Sequence, residues 1–309
     1  MPKPSKLYKY KAFDQDSLEL ILSDYLYYAN PSQFNDPLDC KISIVDDIND
    51  EDELKNILSK LYKSRAEKRL NEAAKSLHYR GNKTLEKIST LSQNEVEKMI
   101  YDIYTNFSFF GDEGSTITEA LANAIGSLIL SGYNKGVLSL SEDGSCPLMW
   151  SHYAEDHKGL CLGYNVPEMA KKNVRPIIYT SDSREVRTSQ ILKMINNDNS
   201  ARRAIEESIF LRKASPWAYE KEWRMISNVG LQNASLYLSE ITFGLRCKDT
   251  TIYSIMKSLH DRERPIDFYQ IVEVPKKFTL KKEKINFDNE KIHGLPRCME
   301  EIDLMINEL

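Results

Sequence analysis

Three short stretches of this chain concentrate side chains that can do chemistry. The densest is Glu220-Lys221-Glu222-Trp223-Arg224. Read as a strand, its period of two puts Glu220, Glu222 and Arg224 on one face and turns Trp223 and Met225 toward a core. Glu222 then suits a catalytic carboxylate, with Arg224 lowering its pKa or binding a phosphate. The plainer reading is an ion pair that holds a sheet in register. The second stretch runs from Leu148 to Gly159. If it is helical, His152 and Asp156 share a face, and the carboxylate can fix the imidazole tautomer and raise its basicity. Trp150 and Tyr153 offer flat walls for a ring. Lys158 adds a cation and Gly159 a C-terminal cap. Against this stands a histidine merely packed in an aromatic corner. The third stretch is Phe34-Asn35-Asp36-Pro37-Leu38-Asp39. Its proline-fixed turn can aim Asn35 and Asp36 into a cleft, or the two can simply bond their own backbone.

These stretches lie nearly two hundred residues apart, so a fold must bring them together. Leu7 to Lys11 reads as a strand, and Leu26 to Ala29 as a second. Between them Asp16-Ser17-Leu18-Glu19 resembles a capping box that opens a short helix. From Asp50 to about Leu130 the pattern is helical: Leu54, Ile57, Leu58 and Leu61 share a face. Ser92 and Thr116 begin two further capping boxes. Strands return at Val137–Ser141, Leu160–Tyr164 and Arg175–Tyr179. Helix follows over Val186 to Lys213, interrupted near Asn196–Asn199. Glu222–Ser227, Leu236–Phe243 and Asp267–Val274 are strand-like, with a helix near Thr250–Leu259. The last residues carry Met299, Ile302, Met305 and Ile306 at helical spacing. Strands cluster and helices segregate, which predicts an α+β fold: a central mixed or antiparallel sheet with flanking helices. The expected organisation is a single domain, 1–309, with a helical insertion over 50–131 and a terminal helix over 297–309.

Composition narrows the chemistry. The 309 residues are 41% hydrophobic and 28% charged, an ordinary globular balance. No apolar run approaches the roughly 20 residues that span a bilayer, and no apolar stretch follows Met1–Lys6 as a signal peptide requires. The five cysteines are scattered and include no Cys-x-x-Cys pair. That favours reduced thiols and a cytoplasmic location over disulfides or zinc. His152 lacks a second histidine at ligand spacing, so no metal is expected there. The net charge of −4 gives no global attraction to nucleic acid. Nucleophile elbows, phosphate loops and dinucleotide glycine fingerprints are missing.

Taken together, Leu7-Tyr8-Lys9-Tyr10, Ser32-Gln33-Phe34-Asn35-Asp36-Pro37, Met149-Trp150-Ser151-His152-Tyr153 with Lys158-Gly159, and Trp217 through Arg224 resemble a bacterial family, domain of unknown function 2971. Ile241-Thr242-Phe243-Gly244 before a helix also fits, and the resemblance covers about Leu7 to Lys281. A weaker resemblance is to ADP-ribosyltransferases, in the order Tyr8–Tyr10, Leu26–Asp36, then Glu222. First-strand Tyr-Lys-Tyr replaces the usual His or Arg of those enzymes, and the Ser-Thr-Ser triplet is missing. That resemblance implies NAD as substrate, with nicotinamide against Tyr10, Tyr28 or Trp150. It implies that Glu222 holds the ribose hydroxyl and that Arg224 or Lys9 takes the pyrophosphate. The expected ligand is nucleotide-like, with Tyr8, Tyr153 and Glu220 also in the site and a macromolecular acceptor or partner protein left open. By analogy such a protein suits phage defence or a toxin. Two other readings stand beside it. One is a metal-independent nuclease or hydrolase with His152 as base and Lys158 or Arg224 on the phosphate. The other is a non-enzymatic nucleotide-sensing or interaction module.

Overall fold

The computed structural model describes residues 3–78, 84–106, 116–180 and 184–285. The expected tail helix over 297–309 lies outside the described residues. In chain order the strands are β1 (Lys6–Lys11), β2 (Tyr25–Tyr28), β3 (Ser43–Val45), β4 (Gly136–Ser141), β5 (Leu160–Asn165), β6 (Arg175–Pro176) and β7 (Ile178–Thr180). There follow β8 (Glu185–Arg187), β9 (Arg212–Ala214), β10 (Glu222–Ser227), β11 (Gly230–Asn233), β12 (Tyr237–Phe243), β13 (Asp267–Glu273) and β14 (Leu280–Lys284). Eight of them form one mixed sheet in the order β14-β13-β12-β5-β1-β4-β10-β6. Within this sheet, among the described residues, β12 and β13 alone are parallel neighbours, and the helix Asp249–Ser258 makes the crossover that a parallel pair needs. Three pairs, β2 with β11, β3 with β8 and β7 with β9, lie outside this sheet. The α+β architecture expected from the sequence is the one observed.

Alternation along the strands sorts the side chains. Leu7, Leu138, Leu140, Trp223, Met225, Ile241 and Phe243 bury on one face, against Ile252, Ile255 and Met256 of the crossover helix. At one end of the other face Val137 and Ile226 join the cluster built by Leu54, Ile57, Leu121 and Ile125 of the helices Glu51–Ser76 and Ile117–Gly132. The helix Asn199–Phe210 joins this layer through Ile205 and Ile209. A third, smaller cluster of Tyr10, Met149, Trp150 and Ala154 sits under the helix Pro147–Tyr153.

Local capping explains where some expectations move. The first helix spans Gln15–Ser23, capped by Asp14 with Ser17 completing the box, so the capping box sits two residues before the one expected at Asp16. Thr116 caps its helix as expected, with Glu119 reaching back to its backbone N–H. Ser92 opens nothing: it is buried inside a continuous helix, Thr84–Thr105, and its hydroxyl donates to the Ser89 carbonyl. The stretch Arg175–Tyr179 is two strands rather than one. The Ile177 N–H donates to Glu222 and the Ile178 N–H to Leu211, so the chain leaves β10 and moves onto β9.

The sheet is not continuous at its centre. β1 and β4 are in register only at Tyr8 and Ser141. Farther along β4, Ala29 takes the neighbouring place and exchanges both backbone bonds with Val137. Between these two contacts the Ser139 carbonyl accepts a hydrogen bond from the Lys9 ammonium, at 3.0 Å. A side chain thus stands in for the missing ladder bond.

Two glycines are set by close approach of backbone to backbone. A Cβ on Gly159 would collide with the Lys11 carbonyl oxygen, and one on Gly244 with that of His157. Gly159→Ala and Gly244→Ala are each expected to lower stability by about 1–3 kcal/mol, as overpacking does. Gly132→Ala, where a Cβ meets nothing within 4 Å, is the control and should be neutral or stabilising in urea titrations of all three variants.

Candidate functional site

Strand β10 turns Trp223 and Met225 into the core, so Glu222 and Arg224 must share the opposite face. Glu220 reaches the same side by another route. It ends the 3-10 turn Ser215–Glu220, and Lys221 follows in the left-handed region at φ 46°. That reversal brings Glu220 into the cavity that Glu222 lines, although it is not part of the strand as expected. Lys213 enters from β9 and Asp39 from the end of the Asn-Asp-Pro turn. All five charged side chains are buried.

The guanidinium of Arg224 organises them. Its Nε donates to Glu222 at 2.7 Å, and its two terminal nitrogens grip Asp39 at 3.0 and 2.5 Å. Nη1 also donates to the Phe210 carbonyl at 2.9 Å, and Phe34 lies against the guanidinium at 5.6 Å. Lys213 donates to Glu220 at 2.5 Å and to Glu222 at 3.2 Å. The free oxygen of Glu220 accepts from the Tyr153 hydroxyl at 2.7 Å, and Asn35 donates to that hydroxyl at 3.3 Å.

The cavity above this cluster holds about 310 Å³. That is the lower end of the range for small-molecule sites. Tyr8, Tyr10, Phe34 and Tyr153 supply aromatic surface, with Met149 beside them. Lys9, Ser139 and Ser141 add polar groups. Of the residues expected in the site, Tyr8, Lys9, Tyr10, Asn35, Tyr153, Glu220, Glu222 and Arg224 line this cavity.

Five others do not. Trp150 is fully buried, packed edge-on against Tyr10 at 5.3 Å, with its indole N–H on the Gly144 carbonyl, so it is core rather than a wall for a ligand. Tyr28 points inward because alternation along β2 buries Leu26 and Tyr28 and exposes Tyr25 and Tyr27. Asp36 is half-buried and spends its carboxylate on the Leu38 N–H, which is turn chemistry. His152 is exposed beside Tyr153 and Tyr219 and lines no part of the cavity. The helix stops at Tyr153, and Glu155, Asp156 and His157 all take left-handed conformations, which ends the helical spacing between His152 and Asp156. Lys158 is exposed beyond that reversal. Arg224 lines the cavity, but its donors are taken by Glu222, Asp39 and Phe210, which leaves it unsuited to a phosphate.

Asp39 and Lys213 are functional groups that the sequence reading missed. Asp39 sat at the end of a stretch already singled out, and a buried Arg224 needing a counter-charge was the available signal. Lys213 lies mid-way along a three-residue strand, too short for alternation to say which way it points.

The residues 149–225 match the model of a family described as Protein of unknown function (DUF2971). The matched stretch supplies Tyr153, Lys213, Glu220, Glu222 and Arg224, while Lys9, Asn35 and Asp39 come from the chain before it. No curated protein and no solved structure gives a significant match.

Electrostatics divides the two glutamates. Burial pushes Glu222 up, but Arg224 and Lys213 outweigh it and hold the carboxyl at about 2. For Glu220 burial wins, and Lys213 and Tyr153 offset it only in part, so its pKa stands above the ordinary value. Lys213 is desolvated too, yet Glu222 and Glu220 raise it and keep it charged. Lys9 is lowered to about 8 by burial and by Lys11. Among the described residues no group of three or more His, Cys, Asp or Glu side chains is placed to hold a metal ion. No helix of the described residues is long and apolar enough to cross a membrane.

Because the folded pKa of Glu222 lies below its ordinary 4.5, its ionised form adds stability above pH 4.5 that is lost as the pH falls toward 2. Arg224→Met should lower stability by about 3–5 kcal/mol at pH 7, since it strands Asp39 and Glu222 as buried, uncompensated charges. The variant should also lose much of the steep acid dependence below pH 4.5. Urea unfolding of both proteins across pH 3–7 measures both effects.

Proposed function

We propose that the chain is a nucleotide-processing enzyme that acts at the glycosidic carbon of NAD, with the charged cavity taking the nicotinamide-riboside half. The observation that carries this reading is the pair of glutamates that share Lys213 yet are driven to opposite protonation behaviour. Two carboxyls whose environments push their pKa values apart are the arrangement that divides acid–base from electrostatic work. Glu222, held ionised, faces the positive charge that develops on the ribose as the bond to nicotinamide lengthens. The C–N bond breaks with its electron pair passing to the nicotinamide nitrogen, which leaves neutral. Water or an acceptor hydroxyl forms the new C–O bond and gives its proton to Glu220. The Tyr153 hydroxyl, bonded to both Glu220 and Asn35, holds that carboxyl in place. Tyr8 and Tyr10 line the space for the ring.

One observation favours a second reading. Glu222 and Arg224 already satisfy each other with help from Asp39 and Lys213, which also suits a rigid binding module with no reaction. The hydrolytic reading with His152 as base has no such support, since His152 is exposed and outside the cavity lining.

Purified protein, incubated with NAD and with protein or nucleic-acid acceptors, should release nicotinamide. Glu220→Gln should reduce that release at least 100-fold, as loss of a general base does, with urea unfolding little changed. The rate should climb with pH through the raised pKa of Glu220, higher than an ordinary glutamate would give. Absence of nicotinamide release with every acceptor, alongside tight NAD binding, would establish the binding module instead.

A further inference from the structure

A second cavity, of about 320 Å³, shares a wall with the first. Lys9, Tyr10, Ala29, Val137 and Tyr153 line both. It occupies the place where β1 and β4 part, and it reaches Leu138, Leu162 and Tyr164, side chains of the face opposite to Glu222 and Arg224. Its character differs from that of the first. Leu20 and Leu26 form a buried apolar floor, Tyr25 and Tyr27 stand partly exposed at 39% and 38%, and Lys11 joins Lys9 as a second cation.

Lys9 is the group whose partners do not match its charge. Lys213 and Arg224 each meet two or more carboxylates within 4 Å. Among the described residues Lys9 forms no ion pair, and its hydrogen-bond acceptor is the neutral carbonyl of Ser139. A partly buried ammonium at the junction of two cavities, with no carboxylate among the described residues close enough to pair with it, is suited to receive one from a ligand.

We propose that the two cavities form one bipartite site for a ligand in which two ring-bearing halves are joined by a phosphate or pyrophosphate, with the bridging anion on Lys9 and Lys11. The apolar, tyrosine-lined cavity takes the second ring, stacked on Tyr27 or Tyr25. This rests on the reading of the charged cavity as a nucleoside site, and it names the remainder of the ligand. A dinucleotide fits both lobes; a nucleoside fills only one.

Calorimetric titration with four probes, NAD, ADP-ribose, AMP and nicotinamide riboside, tests it. Lys9→Gln keeps a donor for the Ser139 carbonyl and removes the charge. It should weaken NAD, ADP-ribose and AMP at least tenfold and leave nicotinamide riboside within twofold. Tyr27→Ala, at an exposed position that should not unfold the chain, should weaken ADP-ribose and AMP about fivefold and spare nicotinamide riboside. NAD affinity of the native protein should fall as the pH rises through about 8, where Lys9 loses its proton, and should be flat there in Lys9→Gln. Unchanged affinities in Lys9→Gln, an equal loss for the phosphate-free nucleoside, or no binding of any probe would each overturn the proposal. Its failure is separable from that of the reaction. Binding with this dependence on Lys9 but without turnover keeps the bipartite site and removes the chemistry. Turnover indifferent to Lys9→Gln does the reverse.

Discussion

A single guanidinium sets the terms for much of this molecule. Arg224 is fully buried, and a charge there is tolerable only if its donors all find acceptors. It finds them in Glu222 on its own strand, in Asp39 at 185 positions' remove, and in the carbonyl that closes the helix Asn199–Phe210. The Asn-Asp-Pro turn, the helical layer and the sheet are therefore pinned to one another by the same planar group. Lysine could not replace it, because a point charge cannot grip a carboxylate with two parallel bonds while reaching a third partner.

That arrangement has a chemical by-product. Two cations face three carboxylates, all buried, and the surplus of negative charge does not fall evenly. Glu222 takes most of the compensation, because Arg224 and Lys213 both reach it. Glu220 shares Lys213 and otherwise meets a phenol, so its proton is held more tightly. A cluster needed to anchor elements thus differentiates two otherwise identical side chains.

Much of this was legible in the sequence where a period or a cap carried the information. Alternation in Glu222-Trp223-Arg224-Met225 indicated which pair faces the core, and Thr116 with Glu119 marked a helix start. Legibility failed where backbone reversals intervene. His152 and Asp156 have helical spacing, but three left-handed residues cancel it, and such conformations at Glu155, Asp156 and His157 leave no mark in side-chain type. Trp150 has the chemistry of a ligand wall, and only packing shows that its indole is committed to Tyr10 and Gly144. Tyr28 was misassigned because one residue of register decides whether an aromatic on a short strand looks inward. Lys213 was invisible because its meaning depends on partners supplied by β10 and by the turn at Asp39.

The parting of β1 from β4 has a mechanical meaning. A sheet fully laddered across its width bends as one plate, since deformation must break many backbone bonds together. Here a five-strand panel, β14 to β1, meets a three-strand panel, β4 to β6, at one residue pair and one lysine. Such a seam leaves few backbone bonds to resist a change of tilt between the panels, while each keeps its internal register. Glu222 rides on one panel and Tyr8 and Tyr10 on the other. A small rotation about the seam would alter the distance between ring and charge, and the apolar layer that Leu7, Leu138, Trp223 and Ile241 share beneath both panels is what opposes it.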